Sequence, residues 1–189
     1  MPAAFEREVK LEFASPAAAR DAVRACGAAP KRNRRLQHDA LVDTADGWLR
    51  DRRSVLRVRR EEGRTVLTFK GPVQPSAMKV REEIETEVSD GDALLELLGR
   101  LGFLVWFRYE KYREEFALGS LVIAIDETPI GTYVEVEGDE AGIERATRAL
   151  GRTPADFVLD SYRGLFLRSC EARGVEATDM VFAPGHEER

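Results

Sequence analysis

Glu6-Arg7-Glu8-Val9-Lys10-Leu11-Glu12, bracketed by Phe5 and Phe13, is the stretch from which the fold can be read. Its even positions are all charged, and four of the five odd positions from Phe5 to Phe13 are apolar, with Arg7 the exception. A spacing of two is the period of a β-strand, so Phe5, Val9, Leu11 and Phe13 share one face and Glu6, Glu8, Lys10 and Glu12 the other. Alone, the charged face fits either the solvated side of an edge strand or a cation site beside an anion site.

The alternation recurs along the chain. Val55 to Arg60 sets Leu56 and Val58 against Arg57 and Arg59, Glu62-Gly63-Arg64 forms a hairpin turn, and Thr65 to Lys70 returns with Lys70 on the polar side. Lys79 to Val88 sets Arg81, Glu83, Glu85 and Glu87 against Val80, Ile84 and Val88. Further strands are predicted over Leu36 to Thr44, Val105 to Leu118 with Lys111 and Arg113 on one side, Leu121 to Asp126, and Thr132 to Glu137 with Glu135 and Glu137 opposite Val134 and Val136. The basic run Lys31 to Arg35 reads as a solvated loop or strand edge.

Helices are predicted from Ser15-Pro16 to Ala25, from Asp90 or Asp92 to Leu101, and from Asp139 or Glu140 to Leu150, each with a capping side chain and small or apolar residues at helical spacing. Pro154 to Arg173 reads as mostly helical. Residues 1–175 are expected to form one domain and 176–189 a flexible tail, which includes His186.

The chain has 189 residues, 33% of them charged and 43% hydrophobic, with a net charge of -5. That length can bury a core without disulfides, and the acidic balance argues against general nucleic-acid binding. Cys26 and Cys170 are the only cysteines and have no metal-ligand partners nearby in sequence, so neither a disulfide framework nor a zinc site is predicted. Met1 leads within a few residues into a charged strand and no apolar run could cross a bilayer, so the expectation is a cytoplasmic protein with no membrane partner.

Across the strands the charges sort by sign. Acid-rich faces occur at Glu6/Glu8, Glu83/Glu85/Glu87 and Glu135/Glu137, and basic faces at Arg57/Arg59, Lys70 and Lys111/Arg113. If the sheet closes into a barrel with helices outside, the apolar faces meet the helices and the charges line the interior, where they must be paired or bound. Arginine forks and ammonium groups suit phosphate oxygens, and clustered carboxylates suit Mg²⁺ or Mn²⁺. The predicted partner is a small molecule, a polyphosphate or nucleoside triphosphate.

Glu6-Arg-Glu8-Val-Lys10 resembles the ExExK signature of the CYTH domain, the triphosphate tunnel metalloenzyme superfamily, which includes class IV adenylate cyclases, thiamine triphosphatases and tripolyphosphatases. Leu56-Arg57-Val-Arg59, Thr68-Phe-Lys70-Gly, Arg81-Glu-Glu83-Ile-Glu85, Lys111-Tyr-Arg113, Ile125-Asp126 and Glu135-Val-Glu137-Gly follow in the family's order. The resemblance implies an α+β fold: a closed eight-stranded antiparallel β-barrel, open at both ends, with helices packed outside. It implies metal ligands among Glu6, Glu8, Glu83, Glu85, Asp126, Glu135 and Glu137. Triphosphate contacts are implied at Lys10, Arg57, Arg59, Lys70, Arg81, Lys111 and Arg113, and Glu6, Glu8 and Lys10 are the expected catalytic residues.

The implied activity is metal-dependent hydrolysis of an inorganic or organic triphosphate, with cyclisation of ATP to cyclic AMP and pyrophosphate as the alternative. A non-catalytic polyphosphate-binding module could dispense with the acids, and here they are all present. Leu41-Val42 precedes Asp43-Thr44 where relatives often carry a tyrosine, and no lysine follows Lys111, which counts against a thiamine triphosphatase. Glu12, Glu87 and His38 receive no role, and Trp48 and Trp106 read as packing residues.

Overall fold

The structure is a computed structural model that describes residues 4–185; His186 and the rest of the C-terminus lie outside the described residues. Nine strands form β1 (Ala4–Phe13), β2 (Ala29–Thr44), β3 (Val55–Glu61), β4 (Arg64–Lys70), β5 (Lys79–Val88), β6 (Phe103–Leu118), β7 (Leu121–Thr128), β8 (Gly131–Glu137) and β9 (Phe157–Val158). The sheet runs β5-β4-β3-β2-β6-β7-β8-β1-β9, and β5 also pairs with β1. That pairing closes eight antiparallel strands into a barrel, as predicted. One edge of β1 is held by β8, while β5 takes the first half of the other edge and β9 continues it at Lys10 and Leu11.

Strand parity decides what faces where. Val9, Leu11 and Phe13 of β1, Ile123 and Ile125 of β7, and Val134 and Val136 of β8 point outward into a core closed by α1 (Pro16–Ala25) and α4 (Glu140–Ala149). A second outer cluster joins Val42 and Val58 to Leu98 of α3 (Gly91–Arg100). Ser15, Asp90 and Asp139 cap these three helices through their side chains. The β3–β4 hairpin turns at Glu62 and Gly63, both with positive φ, 46° and 76°, the turn whose twist matches the strands it joins.

The structure adds detail to the reading of the sequence. Lys31 to Arg35 is part of β2, because pairing with β6 runs back to Ala29 and buries Arg35 between Glu61 and Glu115. A short helix, α2 (Trp48–Asp51), was not predicted; it is seated by the buried Asp43 carboxylate, which accepts from the N–H groups of Thr44, Leu49 and Arg50 at 2.8, 2.8 and 3.1 Å. Pro154 to Arg173 is mostly helical, as expected, with a 3-10 turn (Pro154–Asp156) and the short strand β9 ahead of α5 (Tyr162–Arg173). The described part of the expected tail is docked on β6, where Met180 is fully buried and exchanges backbone hydrogen bonds with Arg108 and Glu110.

Tyr162 and Phe166 of α5 pack with Leu41, Phe107, Tyr109 and Tyr133, so the helix covers part of one mouth. Among the described residues, no helix is long and apolar enough to cross a membrane.

Because the core formed with α1, α3 and α4 lies outside the barrel, it can be perturbed without replacing a side chain of the lumen. Ile143 is fully buried where α4 meets the sheet, and Ile143→Ala should cost ~2–4 kcal/mol, seen as a lower urea midpoint. An unchanged midpoint would show that α4 is not held by this contact.

Candidate functional site

The lumen holds a cavity of about 800 Å³. Thirteen lysines and arginines line it against eight glutamates, and Asp39, Asp43 and Asp126 pair with five of those cations from behind the wall, which leaves a small cationic excess, although the whole chain is net acidic. A local excess of positive charge inside low-dielectric walls is a field that draws in anions.

Glu6, Glu8, Glu83 and Glu137 occupy neighbouring strands on one wall. Lys70 Nζ donates to Glu6 at 2.6 Å and is 2.8 Å from Glu83, Arg81 lies 3.8 Å from Glu6, and Lys79 Nζ donates to Glu8 at 2.5 Å. Glu137 stands opposite Glu8 in the β1–β8 register and, among the described residues, has no ion-pair partner. Burial, and then the charges of Glu6 and Glu8, push its carboxyl up to about 7. Glu85 is further out: its side chain is 53% exposed, accepts from Thr68 Oγ1 at 3.0 Å and lies 3.8 Å from Arg57.

The opposite wall is organised around two buried aspartates. Asp39 of β2 accepts from Arg59 Nε at 2.9 Å and lies 3.4 Å from Arg57. Asp126 of β7 accepts from Lys111 Nζ at 2.7 Å, from Arg113 Nε at 2.7 Å and from the Tyr162 hydroxyl at 2.6 Å. Arg113 also reaches Glu135, whose other oxygen is 3.2 Å from Lys10 Nζ. Burial alone would raise the Asp126 pKa, but Arg113 and Lys111 overcome it and hold the group at about 2. With two cations sharing one carboxylate, Lys111 is pushed the other way: burial and Arg113 take its ammonium down to about 7.

All the predicted site residues except Asp126 line the cavity, and Asp126 lies just beneath its wall. The predicted metal ligands, however, divide into two sets. Glu6, Glu8, Glu83 and Glu137 come together, whereas Asp126 and Glu135 are surrounded by cations. Among the described residues no three His, Cys, Asp or Glu side chains are arranged as a ready cage for a metal ion. The donor set of Glu6, Glu8 and Glu137 still suits a hard divalent cation, since it offers only carboxylate oxygens and leaves Glu137 pressed by like charge with no cation of its own.

Sequence reasoning missed Lys79, Asp39, Arg35, Gln37, Glu61, Glu115 and Tyr162. Lys79 was readable, since it shares parity with Arg81 and Glu83. Arg35 was hidden by the reading of Lys31 to Arg35 as loop or strand edge, whereas Gln37 and Asp39 lie in the predicted strand and share its face with Leu41. Tyr162 carried no local signal; docking of α5 brings it into the lumen, where its ring centroid lies 4.5 Å from Lys10 Nζ and 4.9 Å from Lys111 Nζ. Outside the cavity, His38 is exposed and 3.0 Å from Glu110, Glu12 is exposed, and Glu87 pairs with Arg64 at the surface.

The Asp126 hub yields a signed pH test. Its pKa is depressed on folding, so its stabilisation is present above the ordinary carboxylate value of ~4 and lost as pH falls through about 2. Asp126→Asn leaves Lys111 without its ion pair and Arg113 with Glu135 alone, and should cost ~3 kcal/mol at neutral pH, a deficit that shrinks in acid. Urea unfolding across pH checks this; a variant as stable as the wild type would contradict it.

Comparison with known proteins agrees with this geometry. A family model, the CYTH domain, matches residues 4–156. A protein of Methanocaldococcus jannaschii named as a candidate adenylate cyclase is 28% identical over 118 residues, covering 62% of this chain and 67% of that one. The solved structure of a Pyrococcus horikoshii protein is 28% identical with a TM-score of 0.71, covering 87% of this chain and 99% of that one. A Hippeastrum protein, described as a candidate adenylyl cyclase with a dominant triphosphatase activity, shares the fold at 22% identity and a TM-score of 0.64, covering 91% and 97% of the two chains. With its motifs in order around a closed eight-stranded tunnel and the family match spanning most of its length, the chain belongs to the CYTH domain family.

Proposed function

We propose that the protein is a divalent-metal-dependent triphosphatase that hydrolyses an inorganic or organic triphosphate inside its tunnel. The observation that carries this is the convergence on one cavity of Arg57, Arg59, Lys111 and Arg113 from β3 and β6 with a cluster of carboxylates, Glu6, Glu8, Glu83 and Glu137, from β1, β5 and β8.

In this reading Lys10, Arg57, Arg59, Lys70, Arg81, Lys111 and Arg113 bind phosphate oxygens, guanidinium forks matching two oxygens at once. Glu6, Glu8 and Glu137 hold Mg²⁺ or Mn²⁺, with Glu83 and Glu85 in support. Asp126 and Glu135 are assigned a different part from that expected: facing Lys111, Arg113 and Lys10, they fix the cations in place. When bound, the metal ion neutralises phosphate charge and eases deprotonation of the attacking water. Water oxygen bonds to the terminal phosphorus as its proton passes to solvent, the bridging P–O bond breaks, and the basic wall stabilises the charge on the departing diphosphate.

Cyclisation is the second reading, favoured by the archaeal relative named as a candidate adenylate cyclase. It needs the same phosphate wall but a ribose hydroxyl as nucleophile. Incubation with Mg²⁺ or Mn²⁺ and tripolyphosphate, ATP or thiamine triphosphate, with orthophosphate, pyrophosphate and cyclic AMP resolved, separates the two. Orthophosphate release is expected; cyclic AMP would select the cyclase, and no turnover of any substrate would remove both. Glu8→Gln should lower metal-dependent turnover by at least ~100-fold with folding retained, and unchanged turnover would sink its assignment as a ligand.

A further inference from the structure

Eleven of the thirteen cations lining the cavity have a carboxylate within ion-pair distance, for example Lys70 with Glu6, Lys79 with Glu8 and Arg59 with Asp39. The two that have none among the described residues, Arg53 and Arg163, stand at the same mouth. Arg53 follows α2, and Arg163 is the second residue of α5. A third guanidinium, Arg50, joins them from α2, although it is shared with Asp43 at 3.0 Å.

Trp106 is the floor on which Arg50 and Arg163 meet. In the β2–β6 ladder Leu41 pairs with Phe107 and Val42 with Val105, so Trp106 is an extra, bulged residue. A bulge reverses the faces of the strand beyond it and is a device for re-aiming one side chain. On one side of it Phe107 and Tyr109 pack with α5, on the other Phe103 and Val105 pack with α3, and the indole, packed at the edge of the α5 cluster, also lines the cavity. The guanidinium carbons of Arg50 and Arg163 lie 4.5 and 4.7 Å from its ring centroid. Two cations therefore crowd one indole, and burial and Arg50 both weaken the hold of Arg163 on its proton. The nearby carboxylates do not relieve them: Asp43 serves α2 and Arg50, and Asp179 accepts from the Arg108 N–H. Arg53 keeps a left-handed φ of 54°, a conformation few side chains adopt, while lining this mouth.

We infer that Arg163, held over Trp106, and Arg53, which lines the same cavity, form a second anion site that takes phosphates beyond the third of a linear polyphosphate threaded into the tunnel. This rests on the triphosphate reading of the lumen and extends it, because the inner cations are balanced by acids and the mouth is not. The site favours chain length over any organic group: a phosphate run leaving the lumen meets two unpaired guanidiniums.

The test is calorimetric binding of tripolyphosphate, ATP and a long linear polyphosphate to the wild type and to the Arg53→Gln/Arg163→Gln double variant. The long chain should bind the wild type more tightly than tripolyphosphate does, and the double variant should lose ~tenfold or more of the long-chain affinity while tripolyphosphate changes less than ~twofold. Arg53 is exposed, so Arg53→Gln alone, expected to give part of the loss, keeps the test valid if replacing Arg163 impairs folding. Equal long-chain affinity in wild type and variants would overturn the second site while leaving the lumen reading intact. Weakened ATP binding with unchanged long-chain binding would also overturn it, assigning the mouth to an organic group. Failure of tripolyphosphate to bind even the wild type would remove the lumen reading itself, and the mouth site with it.

Discussion

Asp126 is fully buried with Lys111, Arg113 and Tyr162 on its two oxygens, and the interior of this barrel depends on that kind of compensation. Apolar side chains from α1, α3 and α4 stabilise the outside of the sheet, which leaves the inside free to be charged. A charge placed there loses water and must regain it as an ion pair, since an uncompensated one costs several kcal/mol. Asp39 plays the same part for Arg57 and Arg59, and Glu135 for Lys10 and Arg113. These aspartates and Glu135 act as fixed counter-charges that keep long cationic side chains extended across the lumen.

The other wall is built differently. Glu6 and Glu8 are held by the flexible ammoniums of Lys70 and Lys79, and Glu137 is left with like-charged neighbours. A lysine can swing to another acceptor more readily than a forked arginine can leave a buried aspartate. Under the proposed function, a metal triphosphate replaces these pairs with others of the same kind: cations turn to phosphate oxygens as carboxylates turn to the metal. The pairing requirement is met in both states, so the empty tunnel need not collapse and the loaded one need not strain.

How much of this is legible in the sequence follows from how far each feature depends on distant chain. The alternation in Glu6–Glu12 and Lys79–Val88 is local, so strand, face and sign can all be read there. The first half of β2 is not legible, because Lys31-Arg-Asn-Arg-Arg35 has no apolar alternation and becomes strand only through β6 and the acids Glu61 and Glu115. Asp39 shares its face with Leu41, which disguises it. Tyr162 and the bulge at Trp106 are beyond reach, since one depends on docking of a C-terminal helix and the other on a register shift that only the paired partner reveals.

The most direct measurement is a crystal structure with tripolyphosphate and Mn²⁺, in which anomalous scattering locates the metal without assumption. The account predicts Mn²⁺ against Glu6, Glu8 and Glu137, with phosphate oxygens on Arg57, Arg59, Lys111 and Arg113. Ligand density outside the barrel, or metal bound to Asp126 with Lys111 and Arg113 displaced, would contradict it.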